Sequence, residues 1–370
     1  MNRTLTYLCL QVTRQGQASY AHVHEIANGL RKREWEVELH EPHYSAGSLP
    51  SVLTRLLAFI SVQFNIYFAK KKAEILYVRL HFAAFPTVLW AHIKHIPQVL
   101  EVNGPYEDLF IAWPWTRKFE RFFKWLMRKQ IQFADEIIVV TPELGEWVKH
   151  EVKGKEIHVV PNGANTELFN PSSSGKFDIS RPYVVFFGAL AAWQGIEVLL
   201  QALSEPDWPK DVCLLIIGDG VCRDIVESSA QINSQIIYLG MRPYIEMPKF
   251  ITNALAGVCP MTNLNGRSST GLYPLKLFET LSCGIPVIVT DFPGQADLVR
   301  ECQCGIVVPS ESPRSLAKAV SYLYTNQSIA HQMGMNGRKA MLSEHSWDIR
   351  AGKTAQILEG LLNKKYNLGT

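Results

Sequence analysis

Long apolar runs are missing from this 370-residue sequence. Nowhere do about eighteen apolar residues follow one another, the length a helix needs to cross a bilayer. The nearest candidate, residues 56–69, is shorter and contains Gln63 and Asn65. The N-terminus lacks an apolar stretch followed by a small-residue cleavage site, so no secretory leader is expected. An excess of one charge is missing too. The formal net charge is +3 with 19% charged residues, so no nucleic-acid partner is expected from bulk electrostatics. The seven cysteines are odd in number and irregularly spaced, and several sit in apolar runs such as 212–217 (VCLLII). Cys302 and Cys304 stand one residue apart, which is no zinc spacing. They read as reduced core thiols of a cytoplasmic protein. The histidines show no zinc pattern, so no metal site is expected. No carboxylate pair suggests glycosidase chemistry.

What is present is a chain with 47% apolar residues and enough length for two domains. Strand-like runs alternate with amphipathic helical stretches, which signals parallel βαβ units. Residues 6–12, 37–40, 75–78, 98–102, 136–140 and 157–160 form the first series of strands. A second series follows at 183–187, 213–217, 236–239, 255–258 and 286–289. Between the series, 170–175 (NPSSSG) reads as a linker. The expected architecture is α/β, with two doubly wound, Rossmann-like domains facing each other across a cleft. Residues 1–169 form the first and 170–346 the second, and the helical stretch 347–370 is expected to pack back on the first.

Ligands of such sheets bind beyond the carboxyl ends of the strands. Gly16, Gly188, Gly218 and Gly220 lie at such ends, where a backbone that approaches a phosphate cannot carry a Cβ. The best-marked segment is 274–286 (PLKLFETLSCGIP). Pro274 suits a helix start, and Lys276 and Glu279 share one helix face. A carboxylate one turn inside a helix can accept both hydroxyls of a ribose, and a lysine near the helix start adds positive charge beside a phosphate. A surface ion pair is the competing reading.

At this point the sequence resembles the family-4 retaining glycosyltransferases. The motifs are 16–20 (GQASY), 77–79 (YVR), 100–105 (LEVNGP), 134–141 (ADEIIVVT), 161–169 (PNGANTELF), 217–220 (IGDG), 279–286 (ETLSCGIP) and 346–347. The resemblance covers nearly the whole chain and implies the GT-B fold. It implies transfer of a sugar from a nucleoside diphosphate donor to an acceptor hydroxyl with retention, in polysaccharide or glycoconjugate biosynthesis. It implies that Glu279 binds the donor ribose, and that no covalent nucleophile or cofactor beyond the donor is needed. No Asp-x-Asp motif occurs, so the donor site is expected to work without a metal.

The departures are specific. The family's first donor-site glutamate is Gly271 here, its arginine is Ala189, its lysine is Gln194, and its histidine after the fourth strand is Asn103. Charge-assisted hydrogen bonds contribute roughly 1.5–3 kcal/mol each. Loss of two cations therefore calls for replacements. Lys276 is the leading one, with Arg267 and Arg79 behind it. The expected donor site is then Gly16, Gln17, Arg79, Gly188, Gly218, Arg267, Lys276 and Glu279. Asn103 and Lys276 are the catalytic candidates. The acceptor is expected to be a sugar, a lipid-linked molecule or another hydroxyl compound. The alternative is a binding or regulatory subunit that keeps the fold without turnover.

Residues 113–133 (WPWTRKFERFFKWLMRKQIQF) interleave six cations with aromatics. Such a helix is expected to contact an anionic membrane, at its inner face. The competing reading is a helix that buries its aromatics in its own domain. A second basic-aromatic stretch, residues 55–72, also points to membrane contact.

Overall fold

A computed structural model of the chain describes residues 3–11, 13, 18–43, 51–69, 73–173, 177, 179–263 and 267–368. The continuous apolar runs become strands buried on both faces, as parallel sheets require. The chain divides into two compact units. Unit 1 is Met1–Gln15, Ser19–Pro161 and Asp348–Thr370, and unit 2 is Gly16–Ala18 and Asn162–Trp347.

Unit 1 holds strands β1 (Arg3–Leu8), β2 (Trp35–His40), β3 (Ile75–Arg79), β4 (Gln98–Val102), β5 (Glu136–Val139) and β6 (Glu156–Val159). They form one parallel sheet in the order β2-β1-β3-β4-β5-β6. Its helices are α1 (Ala18–Arg31), α2 (Val52–Tyr67), α3 (Phe85–Ile93), α4 (Glu107–Ala112), α5 (Glu120–Phe133) and α6 (Pro142–Glu151). Helix α6 shows why these segments start where they do. Thr141 Oγ1 accepts from Leu144 N at 3.1 Å, and Pro142 takes the first helical position.

Unit 2 holds β7 (Tyr183–Phe187), β8 (Cys213–Ile217), β9 (Ile236–Tyr238), β10 (Ala256–Cys259), β11 (Val287–Thr290) and β12 (Gly305–Val308). Their parallel order is β12-β11-β10-β7-β8-β9. The order reverses between β7 and β10, and such a reversal opens a crevice at the strands' carboxyl ends. The helices are α7 (Ile196–Ala202), α8 (Arg223–Ile232), α9 (Met247–Ile251), α10 (Leu275–Ser282), α11 (Gln295–Cys302), α12 (Pro313–Thr325) and α13 (Gln327–Ser343), followed by α14 (Trp347–Leu368).

The passage from unit 1 to unit 2 falls at Pro161/Asn162, ahead of the 170–175 linker the composition suggests. The reason is hydrogen bonding. Asn162 Nδ2 donates to Tyr273 O at 2.7 Å, Ala164 bridges to Ser346, and the Arg338 guanidinium donates to the carbonyls of Thr166 and Phe169. Helix α14 belongs to unit 1 from Asp348 onward. Arg33 grips the Asp348 carboxylate at 2.9 Å, Arg3 pairs with Glu359 at 2.6 Å, and Lys364 Nζ lies 2.7 Å from both Glu136 and Glu156. Among the described residues, no helix is long and apolar enough to cross a membrane. All seven cysteines are free thiols.

Candidate functional site

Helix α10 begins after Pro274, whose extended ψ of 137° places it just outside the first turn. All eight of its residues are buried, including Lys276 and Glu279. A buried charge needs partners. Lys276 Nζ donates to Gln194 Oε1 at 2.6 Å and lies 3.7 Å from the centroid of the Phe186 ring. A Cβ on Gly188 would come within 3.7 Å of the same ammonium. Phe186 lies in β7, and Gly188 follows it, so this cation sits at the carboxyl end of the strand where the sheet order reverses. Burial pushes the Lys276 pKa down to about 8, against the smaller opposing pull of Cys259 and Glu279.

One turn on, Glu279 Oε1 accepts from the Tyr244 hydroxyl at 2.6 Å. Tyr244 opens the turn before α9 and packs edge-on against Phe169. Gly188 and Gly218 adopt φ of 122° and 147°. A Cβ on Gly218 would fall 1.8 Å from Gly188 O, so close backbone packing already demands this glycine. Gly271 has φ 80°, a left-handed conformation that a glutamate would occupy only with strain. The missing family carboxylate is thus matched by a backbone built for glycine. Arg267 opens a short 3-10 turn, Arg267–Thr270, and its side chain lies outside the described residues. Gly16 and Gln17 also lie outside them.

Arg79 and Asn103 belong to unit 1, where they meet on Glu101. Glu101 is 1% exposed. Its carboxylate takes Arg79 Nη1 at 2.7 Å, Asn103 Nδ2 at 2.5 Å, Tyr77 OH at 2.6 Å and His22 Nε2 at 3.0 Å. Burial alone would raise its pKa. His22, Arg79 and the hydrogen bonds outweigh that and hold it well below the carboxylate range. Arg79 also donates through Nε to Gln11 Oε1 at 2.8 Å. The guanidinium proposed for the donor is therefore engaged within its own unit. An ionised carboxylate only accepts, so Asn103 must turn its NH2 inward, which leaves Oδ1 as the acceptor.

Lys276 and Glu279 were named by their motif. Glu101, Tyr244 and Gln194 were not singled out as site residues. Glu101 carried a signal, because a carboxylate inside QVLEV must find a cation. Its register partner on β3 is Arg79. Glu136, Glu156 and His158 also cluster, with ligand atoms within 4.8 Å of one another, and Lys364 already bridges the two carboxylates.

Two family models match this chain. "Glycosyltransferase Family 4" matches residues 20–168 and "Glycosyl transferases group 1" matches 181–326, together about four fifths of the chain. The GDP-mannose-dependent alpha-(1-6)-phosphatidylinositol monomannoside mannosyltransferase of Mycobacterium tuberculosis is 27% identical over 218 residues, 55% of this chain. The chain spans 56% of that relative's length. Sucrose-phosphate synthase from Thermosynechococcus elongatus superposes with a TM-score of 0.79 at 16% identity, covering 98% of this chain and 100% of that one. Anabaena HepE in complex with UDP gives 0.71 at 16% identity, covering 97% and 100%. These likenesses show the GT-B fold.

Proposed function

Because the chain belongs to the group 1 and family 4 glycosyltransferases, we propose that it is an enzyme that moves a sugar from a nucleoside diphosphate to an acceptor hydroxyl with retention of configuration. Its setting is polysaccharide or glycoconjugate assembly. The observation that carries this reading is the bond between Lys276 and Gln194. The family's lysine has become Gln194, and that side chain now holds the ammonium of Lys276 at 2.6 Å. A cation is thus retained within one hydrogen bond of the substituted side chain. Its role is to neutralise the diphosphate as the sugar departs. Glu279, fixed by Tyr244, accepts the ribose hydroxyls. Gly188 leaves room for phosphate beside the β7 strand end, Gly218 lets that turn pack against the end of β8, and Gly16, Gln17 and Arg267 complete the donor site. Asn103 Oδ1 accepts from a hydroxyl of the reacting sugar, and Arg79 acts by holding Glu101. Protein cations and N–H donors do the work of a metal here.

The acceptor is a sugar or lipid-linked hydroxyl, and residues 113–133 contact an anionic membrane surface. Seven free thiols fit a reducing, cytoplasmic setting. The Mycobacterium relative uses GDP-mannose and the Anabaena structure holds UDP, so UDP and GDP are the first probes. Calorimetry with each, followed by donor turnover with a panel of acceptors, tests the proposal. Binding lost in Glu279→Ala together with measurable turnover supports it. Binding without turnover across the panel favours the regulatory subunit, a reading to which Ala189 and the left-handed Gly271 lend weight. Absence of any nucleotide binding defeats both.

A further inference from the structure

Helix α2 is apolar on both faces. Its inner face buries Phe59, Gln63 and Ile66. Tyr67 OH lies 3.0 Å from Thr87 Oγ1, Thr87 donates to Gln63 Oε1 at 2.8 Å, and Gln63 Nε2 donates to Phe59 O at 3.1 Å. That buried relay ties α2 to α3. The outer face leaves Leu53, Leu57, Ile60, Phe64 and Phe68 between 50% and 77% exposed. Their spacing of four, three, four and four residues puts them in one stripe. The only charge on the helix is Arg55, and its guanidinium is stacked 3.6 Å from the Trp113 ring centroid. A helix with apolar residues all round is normally buried, so this stripe is built for a cover.

The neighbouring surface says what covers it. Trp113 packs beside Phe59, and Trp115 continues the aromatic seam to Phe123 of α5. From that seam Trp115, Phe119, Phe122 and Trp125 extend outward, each 39–60% exposed. Arg117, Lys118 and Arg121 are exposed among them, and Lys129 follows half-buried. Among the described residues none of these four cations has an ion-pair partner, whereas Lys124 and Arg128 are paired with glutamates. A second copy laid stripe to stripe would bring like charges together. An anionic bilayer offers an apolar interior and a negative headgroup layer side by side.

We propose that α2 inserts its outer stripe into the acyl boundary of an anionic membrane, with the 117–129 cations at the headgroups. This deepens the membrane contact assigned above to residues 113–133, and names α2 as the inserted element. The helix lies in the interface and does not cross it.

Flotation of the full chain with phosphatidylcholine vesicles, with and without phosphatidylglycerol, tests the proposal. The wild type is expected to float with the anionic vesicles and to be released by salt. L57S/F64S changes two exposed positions; it is expected to keep the wild-type thermal midpoint and to lose at least about tenfold in partitioning even at low salt. R117E/R121E is expected to lose the preference for phosphatidylglycerol. Three results overturn the proposal: no flotation at low salt, unchanged flotation of L57S/F64S, or a dimer in sedimentation that this variant dissolves while vesicles stay unbound. Flotation needs no donor, so its failure is distinct from a failure of sugar transfer.

Discussion

Two buried charges dominate at the residue scale. Lys276 is forced toward neutrality by burial, with a pKa of about 8, yet the diphosphate it is proposed to meet is an anion. Binding should therefore draw a proton onto it. At pH near 8, calorimetry in buffers of different ionisation enthalpy is expected to show proton uptake with the wild type and none with Lys276→Met. The same variant is expected to weaken nucleotide binding by about 10–100-fold, the value of one charge-assisted hydrogen bond. Glu101 has the opposite sign. Its folded pKa is depressed, so its contribution to stability is present above the normal carboxylate range and is lost as pH falls through the folded value. Glu101→Gln leaves Arg79 buried without its counter-charge, and denaturant unfolding is expected to show a loss of about 3 kcal/mol. Glu279 and Lys276 were legible because a short motif carries both. The Tyr244, Gln194 and His22 contacts were not, since each joins side chains that are 35, 82 and 79 residues apart along the chain.

At the element scale, buried parallel strands were legible wherever the apolar run was unbroken, as in β7 and β8, and in β4 in spite of Glu101. Strand β12 was missed. It is four residues long, sits at the sheet edge and opens on Gly305, where a Cβ would fall 2.1 Å from Val287 O. A glycine that reads as a turn is there to let two strands approach. The basic-aromatic segment was read as one helix. It is instead a 3-10 turn, Pro114–Phe119, followed by α5, with Trp113 and Phe123 buried, Phe133 half-buried against the core, and Trp115, Phe119, Phe122 and Trp125 exposed. The reading that the segment buries its aromatics in its own domain thus holds for Trp113 and Phe123. The Pro-Asn-Gly loop offers a sharp test. A Cβ on Gly163 would sit 2.7 Å from His345 O, so Gly163→Ala is expected to destabilise unit 2 by about 1–3 kcal/mol in thermal unfolding.

At the scale of the whole molecule, the chain enters unit 2 at Asn162 and returns to unit 1 at Asp348. Unit 1 is therefore complete only when its last helix is made. That helix buries Ala351, Ala355, Leu358, Leu361 and the Arg350 side chain. Removal of residues 348–370 is expected to lower hydrogen-exchange protection in β1, β5 and β6 while nucleotide binding at α10 persists. The doubly wound architecture was readable from alternating patterns. The exact crossing point was not, because it is set by contacts of Asn162 and Ala164 with residues far along the chain. The central claim is that α10 carries a nucleoside diphosphate site in which Lys276 replaces the cation lost at Gln194. Calorimetric titration of UDP and GDP into the wild type, Lys276→Met and Glu279→Ala tests it most directly. Saturable binding of at least one nucleotide, weakened in both variants and linked to proton uptake only where Lys276 is present, is the expected result. Equal affinity in all three proteins, or no binding to any, would contradict the account.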